Sequence, residues 1–339
     1  VGVGRATKRD PNPGLCDRMA SVSNIDVATL GNRWVEEERD ALTRIKKELE
    51  DELKTLGFFF PEVHGDRRLL RYLRKYDYDV EKSSTKFREM LQWRKENRVD
   101  EIREKIVNGR MWHPRQFENG ENIVPIAKGI IAIDGFIDKK GQPVSVEFYN
   151  YKPQLMAEVA SIDDLVTFHI WCMELKMLVL EHMSNEMEAQ KLQDGKCNED
   201  GWGEVLQIFI IRDLGGFNKA HLAAEYREMV GRIMALSAEN YPNALYTCAF
   251  TNTPFSFRLL WTGVKQFLPA KTTRKMQFFS ASFLEEVGRY IDPRRVPRCL
   301  GGGNAATWES GSPIKDEINL TYIEDRLNLH TPAGAAGPG

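Results

Sequence analysis

The sequence predicts an α/β fold in which a helical bundle precedes a larger lobe built on a largely parallel sheet with flanking helices. Up to residue 98, apolar residues recur at helical spacing in three short-linked segments. Beyond Ile123, short β-branched runs alternate with long helical patterns, which argues for parallel strands joined by helical crossovers. The stretch Tyr241 to Phe279 organises the second part. It reads as a short apolar strand, a Pro-started helix and a second short strand.

Residues 1–33 are rich in Gly, Pro, Ser and Asn, lack periodicity and are expected to be disordered. They lack the apolar core of a signal peptide. Met19-Ala20-Ser21 resembles a translation start, so the residues before it read either as upstream translation or as a precursor remnant. Trp34 to Leu56 places Leu42, Ile45, Leu49, Leu53 and Leu56 on one helix face, and Gly57 ends it. Asp66 is expected to cap a second helix, with Leu69, Tyr72, Leu73 and Tyr76 on one side and Arg67, Arg71, Arg74 and Lys75 on the other. Asp79 caps a third, with Val80, Phe87, Met90 and Leu91 facing inward. Residues 34–98 are thus a small bundle, and residues 99–303 form the lobe.

In the lobe, Ile130 to Ile133 and Val144 to Tyr149 read as strands around a turn at Asp138 to Pro143. Asp163 to Met183 reads as a long, largely buried helix, Lys191 to Gly203 as a loop, and Val205 to Ile211 as a fully buried strand. His221 to Asn240 is helical. The helix from Pro254 to Leu268 carries Phe257, Leu260, Trp261, Val264 and Leu268 in one stripe, while Phe255, Leu259 and Phe267 fall off it. Such a helix is either buried on two sides or faces something apolar other than protein core. Residues 304–339 form a tail without a second domain.

The chain of 339 residues is 42% apolar, enough for a sizeable core, and its net charge of −2 creates no global field for nucleic acid. No run approaches the ~18 apolar residues of a membrane span; Leu165 to Leu180 is interrupted by His169, Glu174 and Lys176. Five cysteines lie far apart without a C-x-x-C pair, and read as thiols in a reducing, cytoplasmic compartment. Charge is unevenly spread. Lys265 to Arg298 holds eight basic residues against three acidic ones, a net of +5, whereas Glu158 to Glu204 nets −8. This pattern suggests a dipolar molecule with one membrane-preferring face. No catalytic constellation emerges. Gly301 to Gly303 lacks a following Gly-Lys-Ser/Thr, Asp213-Leu-Gly-Gly is not a dinucleotide fingerprint, and His169 and His182 lack a third metal-ligand cluster.

Several motifs occur in a fixed order: Asp66-x-x-Leu69-Leu70-Arg71-Tyr72-Leu73-Arg74, Trp93-Arg94, Asp138-x-x-Gly141-x-Pro143, Asp213-Leu214-x-Gly216, Tyr241-Pro242, Asn252-x-Pro254-x-x-Phe257 with Trp261, Val264-Lys265-x-Phe267-Leu268 and Thr272-x-x-Lys275, and Gly301-Gly302. Over Arg33 to Gly303 the chain resembles the CRAL-TRIO lipid-binding family. The resemblance implies an apolar lipid cavity under a gate helix, with Phe255, Phe257, Leu260, Trp261, Val264 and Phe267 as lid and membrane contacts. It implies a bound lipid as ligand and no cofactor. Lys265, Lys271 and Arg274 are expected at a transiently touched membrane surface. The protein is then a monomer, cytoplasmic and peripheral to membranes. Of the family's inositol-lipid headgroup residues, Thr272 and Lys275 match. The basic pair reads Tyr76-Asp77 and the acidic position reads Arg232, with Glu228 one turn earlier. This departure implies that phosphatidylinositol is not the preferred cargo, leaving other phospholipid, sterol or tocopherol-like lipids. The rival reading is a scaffolding subunit that keeps the fold without lipid exchange.

Overall fold

Helical spacing in the first third folds into α1 (Glu36–Glu48), α2 (Glu50–Thr55), α3 (Pro61–His64), α4 (Asp66–Lys75), α5 (Val80–Glu96) and α6 (Val99–Val107). The structure, a computed structural model, describes residues 33–56, 60–124, 126, 132–149, 152–197, 199–265, 270–279 and 283–303. Residues 1–32 and 304–339 lie outside the described residues. Arg33, grouped by the sequence with the N-terminal segment, pairs with Glu188 at 2.8 Å.

Two local expectations change. The helix expected over Trp34 to Leu56 breaks at Leu49 (φ −105°, ψ 15°), which is itself fully buried, whereas α2 beyond it buries nothing that would hold it in line. Asp66 is not the cap of α4. Gly65 occupies that place, because a Cβ there would meet the Pro61 carbonyl oxygen at 2.6 Å. Asp66 becomes the first helical residue, where a carboxylate favours the helix dipole, and pairs with Lys46 at 2.5 Å. Asp79 does cap α5, accepting from the Lys82 amide at 2.9 Å. Leu42, Ile45, Leu49, Leu69, Tyr72, Leu73, Phe87 and Met90 meet in the bundle core.

The lobe contains α7 (Gly120–Ile123), β1 (Ala132–Ile137), β2 (Pro143–Phe148), α8 (Pro153–Val159), α9 (Ile162–Gln193), β3 (Ile208–Asp213), α10 (Ala224–Asn240), β4 (Leu245–Thr251), α11 (Phe255–Val264), α12 (Ala270–Thr273), β5 (Met276–Phe278) and α13 (Phe283–Val287). The strands form one five-stranded sheet in sequential order; β1 is antiparallel to β2 and the rest are parallel. The β1–β2 turn is closed by Asp138, whose carboxylate accepts from the Lys140 and Gln142 amides at 2.8 Å each, and by Gly141 at φ +80°. Helix α9 runs ten residues further than the sequence suggested at its C-terminal end, to Gln193 instead of Met183. A Ser161–Asp164 capping box starts it, and the next residue able to turn the chain is Gly195 (φ +67°).

Because β2, β3, β4 and β5 advance in one direction through helical connections, right-handed crossovers place those helices on one face of the sheet. The register agrees. Val144, Val146, Phe209, Ile211 and Ala249 pack with Phe283, Val287, Ile291 and Val296 from the C-terminal segment. On the opposite face Ile210 packs with Met173 and Met177 of α9, while Cys248 and Phe250 pack with Phe257 of α11.

Bundle and lobe are joined by buried arginines. Arg68 donates to the Asn240 carbonyl at 2.5 Å, and Arg71 to the carbonyls of Leu206 (2.6 Å) and Asn243 (2.9 Å). Arg67 reaches the Glu204 carbonyl at 2.8 Å and pairs with Glu181 and Glu188. Arg94, buried as deeply as Arg68, donates from Nη1 and Nη2 to Glu174 Oε1 (2.8 Å) and Oε2 (2.9 Å), the Arg94 and Glu174 side chains both being 2% exposed. Tyr241 donates its hydroxyl to the same Oε1 at 2.7 Å. Burial alone would raise the Glu174 carboxyl, but Arg94 and Tyr241 override it and hold it below the usual range.

Breaking this triad on one side strands a charge. Arg94→Met is expected to cost about 3–5 kcal/mol, and the double change Arg94→Met with Glu174→Met to recover much of it. Tyr241→Phe should cost about 1.5–3 kcal/mol, as for a hydrogen bond to a charged group. Urea midpoints of the three variants check this; equal losses in the single and double Arg94 variants would refute the pairing. Since Glu174 titrates lower in the folded state, its contribution is fully present above the ordinary Glu value of about 4.3 and disappears as pH falls through the folded value.

Candidate functional site

The helices over the sheet define the candidate site. Helix α11 begins after Pro254 and lays two of its expected lid residues on the sheet. Phe257 sits edge-on to Phe217 (5.1 Å between ring centroids) and beside Phe250 (5.4 Å). Trp261 packs against Phe278 (5.4 Å) and Phe250 (6.1 Å), and these two rings stack at 4.9 Å. Phe255 points the other way and is 75% exposed, so the helix separates an inward aromatic cluster from an outward ring. Phe267 and the side chains of Leu260 and Val264 lie outside the described residues.

Helix α10 has the complementary peculiarity. Tyr226, Met229, Val230, Ile233 and Met234 make an apolar stripe at helical spacing, yet all are only half-buried, and Asn240 is the one buried residue of the helix. Protein core therefore does not fully cover this apolar stripe.

The expected headgroup residues are dispersed. Thr272 is half-buried on α12, and Lys275 follows it. Lys275 donates to the Leu245 carbonyl and lies 3.4 Å from Asn243 Oδ1, which ties β5 to the start of β4. Burial, with the neighbouring Arg71, lowers its pKa. Glu228 and Arg232 are exposed on α10, and Arg232 pairs with Asp163 at 2.6 Å. Among the described residues no hydrogen bond or ion pair joins any two of these four. Of the expected membrane cations, Lys265 and Arg274 are exposed, and Lys271 pairs with Asp77, the position where the sequence lacks a family cation.

Sequence reasoning missed a polar cluster on the helix-covered face of the sheet. The parallel register sets Glu147 of β2 opposite Arg212 of β3, and Arg212 Nε donates to Glu147 Oε2 at 2.7 Å. Lys176 of α9 reaches the other carboxylate oxygen at 3.8 Å. Burial alone would lower the Arg212 pKa; Glu147 overrides this and raises it well above the ordinary value. Arg212 keeps 28% of its side chain accessible. His169, one helical stretch before Lys176, is driven down to about 3 by burial and the two cations and is neutral; it bonds Ser237 of α10 at 2.7 Å. Burial pushes Cys172 and Cys248 up to about 12, so both remain thiols. The signal was present as Lys176 and His169 interrupting an apolar helix, with a charged residue on each of two adjacent apolar strands.

Among the described residues no helix is long and apolar enough to cross a membrane, and no group of three or more His, Cys, Asp or Glu side chains could hold a metal ion.

A family model for the CRAL/TRIO domain matches residues 126–302. Among curated proteins, the chain is 26% identical over 259 residues to phosphatidylinositol/phosphatidylcholine transfer protein SFH11 of Arabidopsis thaliana, covering 76% of this chain and 62% of the relative. It is 25% identical over 306 residues to transfer protein SFH9 of the same plant, covering 88% and 48%. Protein real-time of Aedes aegypti is 28% identical over 278 residues, covering 79% and 38%. The chain thus spans about half the length of the curated relatives it matches. Among solved structures, Sfh5 superposes with a TM-score of 0.57 at 14% identity, over 87% of this chain and 98% of that one, a likeness of fold.

Lys275→Met is expected to lower stability by about 1 kcal/mol, because the Leu245 carbonyl loses one of its two donors and keeps Gln207 Nε2 at 3.2 Å. Urea denaturation checks this; an unchanged midpoint together with weakened binding of phosphate-bearing vesicles would return Lys275 to a headgroup role.

Proposed function

Because the chain belongs to the CRAL/TRIO domain family, we propose that it holds a single lipid in an internal cavity beneath α10 and α11 and transfers or presents it between membranes. The observation that carries this reading is the half-buried apolar stripe of α10 over a sheet face whose Arg212 is both deep and accessible. The relatives named as phosphatidylinositol/phosphatidylcholine transfer proteins support lipid handling in general. The mechanism is desolvation and exchange, with no bond made or broken. Each buried methylene contributes roughly 0.8 kcal/mol, so a long tail is retained only while its cavity stays closed. Helix α11 supplies the closure: Phe257 and Trp261 seal it from inside, and the exposed Phe255 is placed to enter a bilayer when it opens.

The polar residues narrow the cargo. Tyr76 and Asp77 replace two cations, Arg232 is engaged with Asp163, and Lys275 with Leu245, so the ring hydroxyls of phosphatidylinositol would lack partners. Unmatched polar groups cost about 1–3 kcal/mol each in a buried site. Phosphatidylinositol is therefore not the preferred cargo in this reading. The same internal pairings are the feature that favours the rival, a scaffolding subunit without exchange. Lys265 and Arg274, exposed beside Lys271, would attract anionic membranes by ~1 kcal/mol each.

Organic extraction of the purified protein followed by mass spectrometry should release one lipid per chain; a lipid-free protein that also takes up none from vesicles would leave the scaffolding reading. Trp261→Asp is expected to slow vesicle-to-vesicle transfer by about tenfold or more, equivalent to ~1.4 kcal/mol, with an unchanged circular dichroism spectrum. Vesicle binding should strengthen with anionic lipid and weaken as salt shortens the Debye length from about 10 Å at 0.1 M. Binding indifferent to both would show the basic segment to be an ordinary solvated surface.

A further inference from the structure

The polar cluster on the sheet has a charge that the protein itself leaves unbalanced. One carboxylate, Glu147, stands between two cations, Arg212 and Lys176. The other titratable groups within reach of the cluster on the packed elements are His169, Cys172, Tyr149, Tyr226 and Cys248. Burial holds His169 deprotonated, the two thiols protonated and Tyr149 above its usual range. The wall therefore carries a net positive charge in a setting where an unpaired ion is costly.

Its donors are also unfinished. Arg212 uses Nε on Glu147, and among the described residues its two Nη groups make no hydrogen bond, although the side chain keeps accessible surface. Lys176 stands 3.8 Å from Glu147 without a hydrogen bond. Ser145 lies two residues before Glu147 on the same face of β2, opposite Ile210. It is fully buried, and its hydroxyl has no hydrogen-bond partner. A guanidinium fork with accessible surface and an ammonium thus lie on the side of the sheet that α9 and α10 cover, with the unmatched Ser145 hydroxyl sealed behind them. The fork geometry suits a planar group with two anionic oxygens.

We infer that this wall seats the carboxylate of an acidic single-tailed lipid, headgroup inward, with Arg212 Nη1 and Nη2 and Lys176 on its oxygens. The inference rests on the lipid-carrier reading above and deepens it by naming the class of cargo. A carboxylate matches the single unbalanced charge. A phosphodiester also carries one negative charge on two oxygens, so the phosphate probe below separates the two headgroups. The tail would run from the sheet under the apolar stripe of α10 towards Phe257 and Trp261 on α11.

The test uses the full chain with oleate, oleyl alcohol and oleyl phosphate as probes, each titrated against a bound fluorescent fatty-chain reporter. Oleate is expected to bind at least about tenfold tighter than oleyl alcohol, the two having the same tail. The gap should close in Arg212→Met and in Lys176→Met, with oleyl alcohol affinity kept. If Arg212→Met fails to fold because Glu147 is stranded, the triple change Glu147→Gln, Arg212→Met and Lys176→Met removes all three charges and asks the same question. Carboxyl-labelled oleate followed by NMR should stay ionised in the complex to lower pH than in free solution, a shift that a purely structural ion cluster would not produce. Equal affinity for oleate and oleyl alcohol would overturn the inference and leave the lipid-carrier reading standing. Tighter binding of oleyl phosphate than of oleate would overturn the carboxylate assignment. Failure of every lipid probe, phospholipid vesicles included, would remove both readings together.

Discussion

One buried ion pair sets the geometry on which the rest of the molecule depends. Arg94 and Glu174 are each 2% exposed and meet through two parallel hydrogen bonds, so neither can be left alone without a penalty of about 3–5 kcal/mol. Arg94 belongs to the helical bundle and Glu174 to α9, the longest helix of the lobe. Their union fixes one body against the other. Tyr241, bonded to the same carboxylate and packed edge-on to Trp93 at 5.9 Å, ends α10 and leads into β4. The start of β4 in turn decides where Phe250 lies, and hence where Phe257 and Trp261 of α11 can rest.

That chain of dependence explains which parts of the fold were legible in the sequence. Local signals worked where a residue acts on its own backbone. Asp79 caps α5, Asp138 and Gly141 close the β1–β2 turn, and Pro254 precedes α11. They failed where a neighbour decides. Asp66 yielded its capping role because only Gly fits against Pro61. Arg67 and Arg71, placed by periodicity on the polar side of α4 with Arg74 and Lys75, are buried and bonded to the lobe. A charged helix face looks the same in sequence whether it meets water or a row of carbonyl oxygens from another body. The motifs quoted from Asp66 to Arg74, Trp93-Arg94 and Tyr241 therefore report on the joint between bundle and lobe, and say little about cargo.

The candidate site was legible in outline only. An over-apolar helix after Pro254 pointed to α11, but a single linear stripe could not separate Phe257 and Trp261, which face the sheet, from Phe255, which faces outward. Thr272, Lys275, Glu228 and Arg232 were grouped by resemblance. The fold instead gives Lys275 to the Leu245 carbonyl and Arg232 to Asp163. The Glu147–Arg212–Lys176 cluster draws on three elements separated by more than twenty residues, and only the strand register brings them together.

The direction of winding accounts for where that cluster had to form. A sheet whose parallel strands advance one way receives its right-handed crossovers on one face, so α9, α10 and α11 share a side. The opposite face is closed by the C-terminal segment, with Val144, Val146, Phe209 and Ile211 fully buried beneath it. The charged residues on that side, Glu147, Arg212 and Lys176, offset one another in part by pairing. In a close-packed layer Lys176 and Arg212 would each need a full set of protein partners, as Arg94 has, and they lack them. The contrast between the two arginines is thus a contrast of environment: Arg94 is saturated and locks the bundle to the lobe, whereas Arg212 is held by one carboxylate and keeps accessible surface.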